Sequence, residues 1–194
     1  MDRTPDKSLV WTFPTPNTPL LAVAYRDLYL AAEGTAQQKE MLGDPALLPR
    51  PWDPATCQDP LLRQEVWDWL EEFVVWFNRE YVWDPNAGMI PSCWPQHPHL
   101  VHEIAVLADR RRSAGLALTS HDLEDWHRDT LPQFTQRMRQ RATAHCDKEH
   151  HPWPAQSRYS RHVSPEATSE RFHVLNRDLQ IGREPLAADV RENC

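Results

Sequence analysis

Proline divides this chain before any other residue does. Most of its 18 prolines fall in four clusters, at residues 14–19, 45–60, 85–98 and 152–165. Proline fixes φ and has no amide donor, so regular helices and central strands are not expected to run through such clusters. Between them lie stretches with apolar residues at helical spacing. Strand signals are confined to a short extended arm, Val10–Phe13. The chain is therefore expected to be all-α, with four to five helices joined by long Pro-rich connections.

The helix ends can be read from their start and stop residues. Thr18 and Pro19 open a first helix that runs to about Gln38, with Gly34 ending its regular part. Asp59 and Pro60 open a second, to Trp83, whose stripe of Val66, Trp69, Leu70, Phe73, Val74, Phe77 and Tyr81, widened by Trp67, Trp76 and Trp83, covers over half its circumference. Such a helix is central to the fold or faces a partner. A third is expected over Pro98 to Ser113. There the Arg110–Arg112 triplet would favour the negative end of the helix dipole, and Gly115 would serve as the stop. A fourth runs from Ser120 to about His145, kinked or split at Pro132. A fifth runs from Pro165 to Leu179, docked by Phe172, Leu175 and Leu179. The domain reading is an N-terminal arm with the first helix (1–60), a Trp-rich helical core (61–146), and a C-terminal helix with its tail (147–194).

Several function classes drop out. The 5 glycines form neither a G-x-G-x-x-G nor a G-x-x-x-x-G-K-[ST] loop, so no standard dinucleotide or P-loop site is expected. No apolar run approaches the roughly 18 residues of a membrane span, and the charged N-terminus does not read as a signal peptide. The cysteines, at 57, 93, 146 and 194, lie far apart and read as thiols or ligands of a cytoplasmic protein. The net charge is −7, yet residues 110–162 hold 10 basic and 6 acidic side chains. That bias is modest for a general nucleic-acid binder.

One constellation carries chemistry. Cys93-x-x-x-His97 and Cys146-x-x-x-His150 repeat a spacing, one entering the third expected helix and one leaving the fourth. Zinc takes four Cys or His ligands in a tetrahedron, and pairs three to five residues apart suit a short loop or one helical turn. With 10 His in 194 residues, a His four after a given Cys is roughly a 5% coincidence, and here it occurs twice. If the two helices pack antiparallel, the pairs meet as a structural zinc site. Buried thiols beside surface histidines would give the same residues a purely structural role.

Other patterns are weaker. Glu124–His127 and Glu170–His173, with Glu71, Glu72 and Glu103, could supply a di-iron set, but in an unusual order. His121-Asp122 with Asp125 could serve a metal-dependent hydrolase, and Cys93 with His97 or His102 a thiol enzyme. Nine tryptophans are many for this length. Trp83, Trp94 and Trp153 sit in or beside Pro-rich connections, where they could anchor a protein partner. Arg110, Arg111, Arg112, Arg137 and Arg141 could instead meet phosphates.

The segment from Trp67-Asp68-Trp69-Leu70 through Cys93-Trp94-Pro95-Gln96-His97-Pro98 and Asp125-Trp126-His127 to Cys146 resembles a family. It is a domain of unknown function carried by actinobacterial plasmids, phages and integrative elements. Members share a W-x-x-L helix, a Trp-Cys or Cys-Trp pair, a His-Pro helix start and an aromatic-rich helix closing on a Cys. The family pattern has a Trp-Trp pair where this chain has only Trp126. The resemblance implies a mobile-element setting and no chemistry. The expected function is that of a non-enzymatic accessory or adaptor protein that binds another protein and carries structural zinc. The alternatives are a nucleic-acid-binding subunit using residues 110–162 and a metal-dependent hydrolase.

Overall fold

The computed structural model describes residues 9–82, 88–143, 146, 150 and 155–181. Among these it contains seven helices and no strand. The all-α class holds, and the helix number exceeds the expected four to five for two local reasons. The first expected helix is two: α1 (Pro19–Glu33) stops at Gly34, and α2 (Ala36–Leu42) restarts behind it. Thr35 and Gln38 form a capping box there, each side chain bonding the other's backbone amide, which favours a new start over continuation. Gly43 then ends α2 at φ +71°, a value other residues rarely adopt. The second reason is α6 (Gln156–His162), a short helix just before the last one.

The core is organised on α3 (Pro60–Glu80). Asp59 caps it as expected, its Oδ1 accepting from the amides of Leu61 and Leu62 at 2.9 Å. Val66, Trp69, Leu70, Phe73, Val74, Trp76 and Phe77 are all buried, which accounts for the wide stripe. One side of that stripe is covered by the N-terminal arm. The indole N–H groups of Trp69 and Trp76 donate to the carbonyls of Pro14 (2.9 Å) and Trp11 (3.0 Å), and Phe13 packs edge-on against Phe73 and Trp76. Two indoles seven residues apart lie on one helix face and so hold an extended chain along the helix. Glu65 works on α1 in the same way. Its Oε2 accepts from the amides of Leu20 and Leu21 at 2.9 Å, satisfying donors that the Thr18 side chain leaves open.

The opposite side is covered by α4 (Pro98–Leu116) and α5 (residues 121–143). Leu100, Ile104, Leu107 and Ala108 of α4, with Trp126, Phe134 and Met138 of α5, share one buried cluster with α3. Helix α4 runs past Gly115, which lies within it rather than after it. The arginine triplet therefore sits more than a turn from the helix end, and the dipole argument does not apply to it. Helix α5 does not split at Pro132. It is π-helical over Trp126–Thr130, α-helical over Leu131–Met138 and π-helical again over Arg139–Thr143. The wider first π turn precedes the proline and makes room for a ring that would otherwise press on the preceding turn.

The chain divides into two compact units, residues 1–150 and 151–194. The described arm, α1 and α2 lie with the Trp-rich segment in the first. The second holds α6 and α7 (Pro165–Ile181). Phe172, Leu175 and Leu179 of α7 are about 60% exposed (61%, 59% and 58%). No helix among the described residues is long and apolar enough to cross a membrane.

Candidate metal centre

The segment that carries Cys93 is fastened to α3 at two points. Asn78 brackets Ile90: its amide donates to the Ile90 carbonyl at 3.0 Å, and its Oδ1 accepts from the Ile90 N–H at 2.9 Å. Ile90 itself is 1% exposed. Four residues on, Trp94 is 2% exposed, donates its indole N–H to Glu71 Oε2 at 3.1 Å and packs on Trp67. Cys93 lies between these anchors. A single 3₁₀ turn, Trp94–Gln96, then brings His97 to the start of α4, where Pro98 sits at the first helical position.

The second pair lies beyond the C-terminal end of α5. That end is clamped to α4 by Glu103, whose carboxylate accepts from Arg137 Nε at 2.8 Å and from Arg141 at 2.6 Å. Phe134 and Met138, on the same stretch, are buried. The start of α4 and the end of α5 are thus held together, and Cys146 and His150 meet Cys93 and His97. One ligand atom from each of the four residues lies within 4.8 Å of the others. His97 Nε2 is 3.3 Å from Cys93 Sγ and 3.4 Å from Cys146 Sγ, and the His97 and His150 rings are 5.1 Å apart.

This set can hold a metal ion. A tetrahedral zinc ion, about 2.3 Å from sulfur and 2.0–2.1 Å from nitrogen, would separate neighbouring S and N ligands by about 3.6 Å. The two sulfur–nitrogen distances are a few tenths of an ångström shorter, so seating an ion needs a slight expansion. The electrostatics suit a cation. Burial pushes the Cys93 thiol up, and the neighbouring Cys146 thiol pushes it further. Burial pulls His97 down, with His150 and His99 adding to the effect, so its ring is neutral near pH 7 and its lone pair is available. Two thiolates around a divalent ion would cancel its charge.

Among the described residues this is the one group of His, Cys, Asp and Glu side chains that converges as a metal site. The other patterns take local roles. His127 bonds the Tyr81 hydroxyl (3.1 Å), His121 pairs with Asp125 (3.6 Å) and His102 lies 4.0 Å from Asp53. Glu170 and His173 belong to the second unit.

Of the arginines considered for phosphates, Arg137 and Arg141 are bound to Glu103. Arg112 pairs with Asp109 and lies 3.8 Å over the Tyr25 ring. Arg111 is half-buried among Phe13, Trp76 and Trp126, whereas Arg110 is exposed. Of the tryptophans considered for a partner, Trp94 is in the core; Trp83 and Trp153 lie outside the described residues. Sequence reasoning missed Asn78, Glu71 and Glu103 as supports. Compared with known proteins, the chain matches no family model, no curated protein and no solved structure.

Proposed function

We propose that this chain is a non-enzymatic adaptor protein whose first unit is closed by a structural zinc ion. The observation that carries this reading is the four-residue set itself. Cys93, His97, Cys146 and His150 supply two sulfurs and two nitrogens from two chain segments within 4.8 Å. A full complement of protein ligands leaves no open position for substrate or water, which is the pattern of structural rather than catalytic zinc. Thiolate and imidazole donors favour zinc over calcium or magnesium, which prefer oxygen.

The ion would add a cross-link between two segments that Glu103 and the buried residues of α4 and α5 already bring together. Protein binding is supported by the second unit, where α7 leaves Phe172, Leu175 and Leu179 exposed. The engagement of Arg137 and Arg141 by Glu103 weighs against the nucleic-acid alternative. The cytoplasm suits a protein whose Cys57, Cys93 and Cys146 are free thiols. An accessory role in an actinobacterial plasmid or phage is the setting that the family resemblance implies.

Elemental analysis of protein purified without chelator tests the reading. One zinc per chain is expected in the wild type, with loss of the ion in Cys93→Ser and Cys146→Ser. Less than about 0.2 equivalents of any transition metal in the wild type would overturn it.

A further inference from the structure

The same cluster holds two thiols side by side. Their sulfurs lie within 4.8 Å of each other, and an S–S bond of about 2.05 Å would draw them together. Both also touch one imidazole nitrogen, His97 Nε2. Cys93 is half-buried, within reach of a small oxidant, whereas Cys146 is buried. Cys57, by contrast, is 0% exposed and is absent from the cluster.

We infer that Cys93 and Cys146 form a reversible dithiol–disulfide pair whose oxidation by a hydroperoxide expels the bound ion. The ion in this inference rests on the zinc reading above. The chemistry balances in two steps. A sulfur of the pair attacks the peroxide, the O–O bond breaks, and a sulfenic acid and water (or an alcohol) result. The second sulfur then displaces the sulfenic hydroxyl, the S–S bond forms and another water leaves. Two electrons pass from the two sulfurs to the peroxide. With the ion bound, both thiolates are consumed and two protons are taken up from solvent. The zinc ion, whose charge is unchanged, is left with two imidazoles and dissociates.

Either tie joins residues 93 and 146, across the segment that includes α4 and α5. Oxidation would therefore exchange a metal cross-link for a covalent one without separating those helices. The reduced protein would bind the ion, and the oxidised protein would stay closed without it.

The test uses the full chain, zinc-loaded and chelator-stripped, treated with a small molar excess of hydrogen peroxide. Metal release is followed with a chromophoric chelator and thiols are counted in parallel. A non-reducing tryptic map then looks for peptide 80–110, which carries Cys93, joined to peptide 142–148, which carries Cys146. The expected result is loss of two thiols and one ion together, a single 80–110/142–148 cross-link, a free Cys57, and recovery of zinc binding after dithiothreitol. Sulfinate on Cys93 with Cys146 still reduced would overturn the inference. So would pairing of either residue with Cys57 or Cys194, or an ion retained after the cross-link forms. Protein that takes up no zinc in the loaded arm overturns the structural-zinc reading and, with it, ion expulsion; the peptide map of the stripped arm still decides the dithiol pair separately.

Discussion

Asn78→Ala probes the link between the fold and the cluster. The substitution removes both hydrogen bonds that bracket Ile90 and leaves a backbone N–H and C=O unpaired beside a side chain that is 1% exposed. Each buried unpaired group costs about 1–3 kcal/mol. These bonds are only partly buried and water can replace some of the loss, so a total of about 2–4 kcal/mol is expected. Cys93 lies three residues beyond Ile90, so release of this anchor loosens one zinc ligand and the entry to another. Loss of a comparable supporting contact around a metal typically lowers affinity 10–100-fold. Urea unfolding followed by tryptophan fluorescence measures the first effect, and competition with a chromophoric chelator under native conditions measures the second. Asn78→Asp keeps the acceptor for the Ile90 amide but sets a carboxylate oxygen against the Ile90 carbonyl, so it should also lose stability and zinc affinity relative to wild type. A variant that is about 2–4 kcal/mol less stable, yet while folded holds zinc within about twofold of wild type, would refute the idea that this anchor positions the site.

Three further outcomes follow from other parts of the first unit. Glu103→Gln removes the charge shared by two arginines that are 43% and 54% exposed, so the cost should be only about 0.5–1.5 kcal/mol and should shrink in 0.5 M salt, as urea titrations at two salt concentrations would show. Burial alone would raise the pKa of Glu65, but hydrogen bonds from Thr18, Leu21 and Leu20 outweigh it and hold the carboxyl below its ordinary range. Its stabilisation is therefore complete above the unfolded carboxylate pKa and fades as pH falls through and below that value. Glu65→Gln should be destabilised at pH 7, and the gap to wild type should narrow as the pH is lowered below the ordinary carboxylate range; urea midpoints across that range check this. Zinc at 1,000 times its Kd would stabilise the first unit by about 4 kcal/mol, so chelation should lower the melting temperature by about 8–16 °C by calorimetry.

The helical class and the starts of the main helices were legible because they depend on local chemistry. Asp59-Pro60 and Ser164-Pro165 state their positions directly, and the apolar spacing of α3 and α4 does the rest. The break at Gly34 was visible too, but the capping box that restarts the helix at Thr35 was not recognised. Pro132 does not split its helix, because a π turn just before it makes room for the ring, which a penalty computed for regular α-helix does not foresee. The metal cluster was legible as a repeated Cys-x-x-x-His spacing, since each pair is local. Its supports were not, because Asn78–Ile90, Glu71–Trp94 and Glu103–Arg141 join residues 12 to 38 positions apart. Trp94 shows the limit of composition as a guide. Its place beside prolines suggested a surface anchor, yet tertiary packing buries it under the site it helps to position.

Zinc-edge X-ray absorption on the purified protein tests the central claim most directly, because it reads ligand type and distance together. A closed site on Cys93, His97, Cys146 and His150 gives two sulfurs near 2.3 Å and two imidazole nitrogens at about 2.0–2.1 Å, with one sulfur lost in Cys146→Ser. A shell of oxygen and nitrogen alone, or a spectrum unchanged by Cys146→Ser, would contradict it.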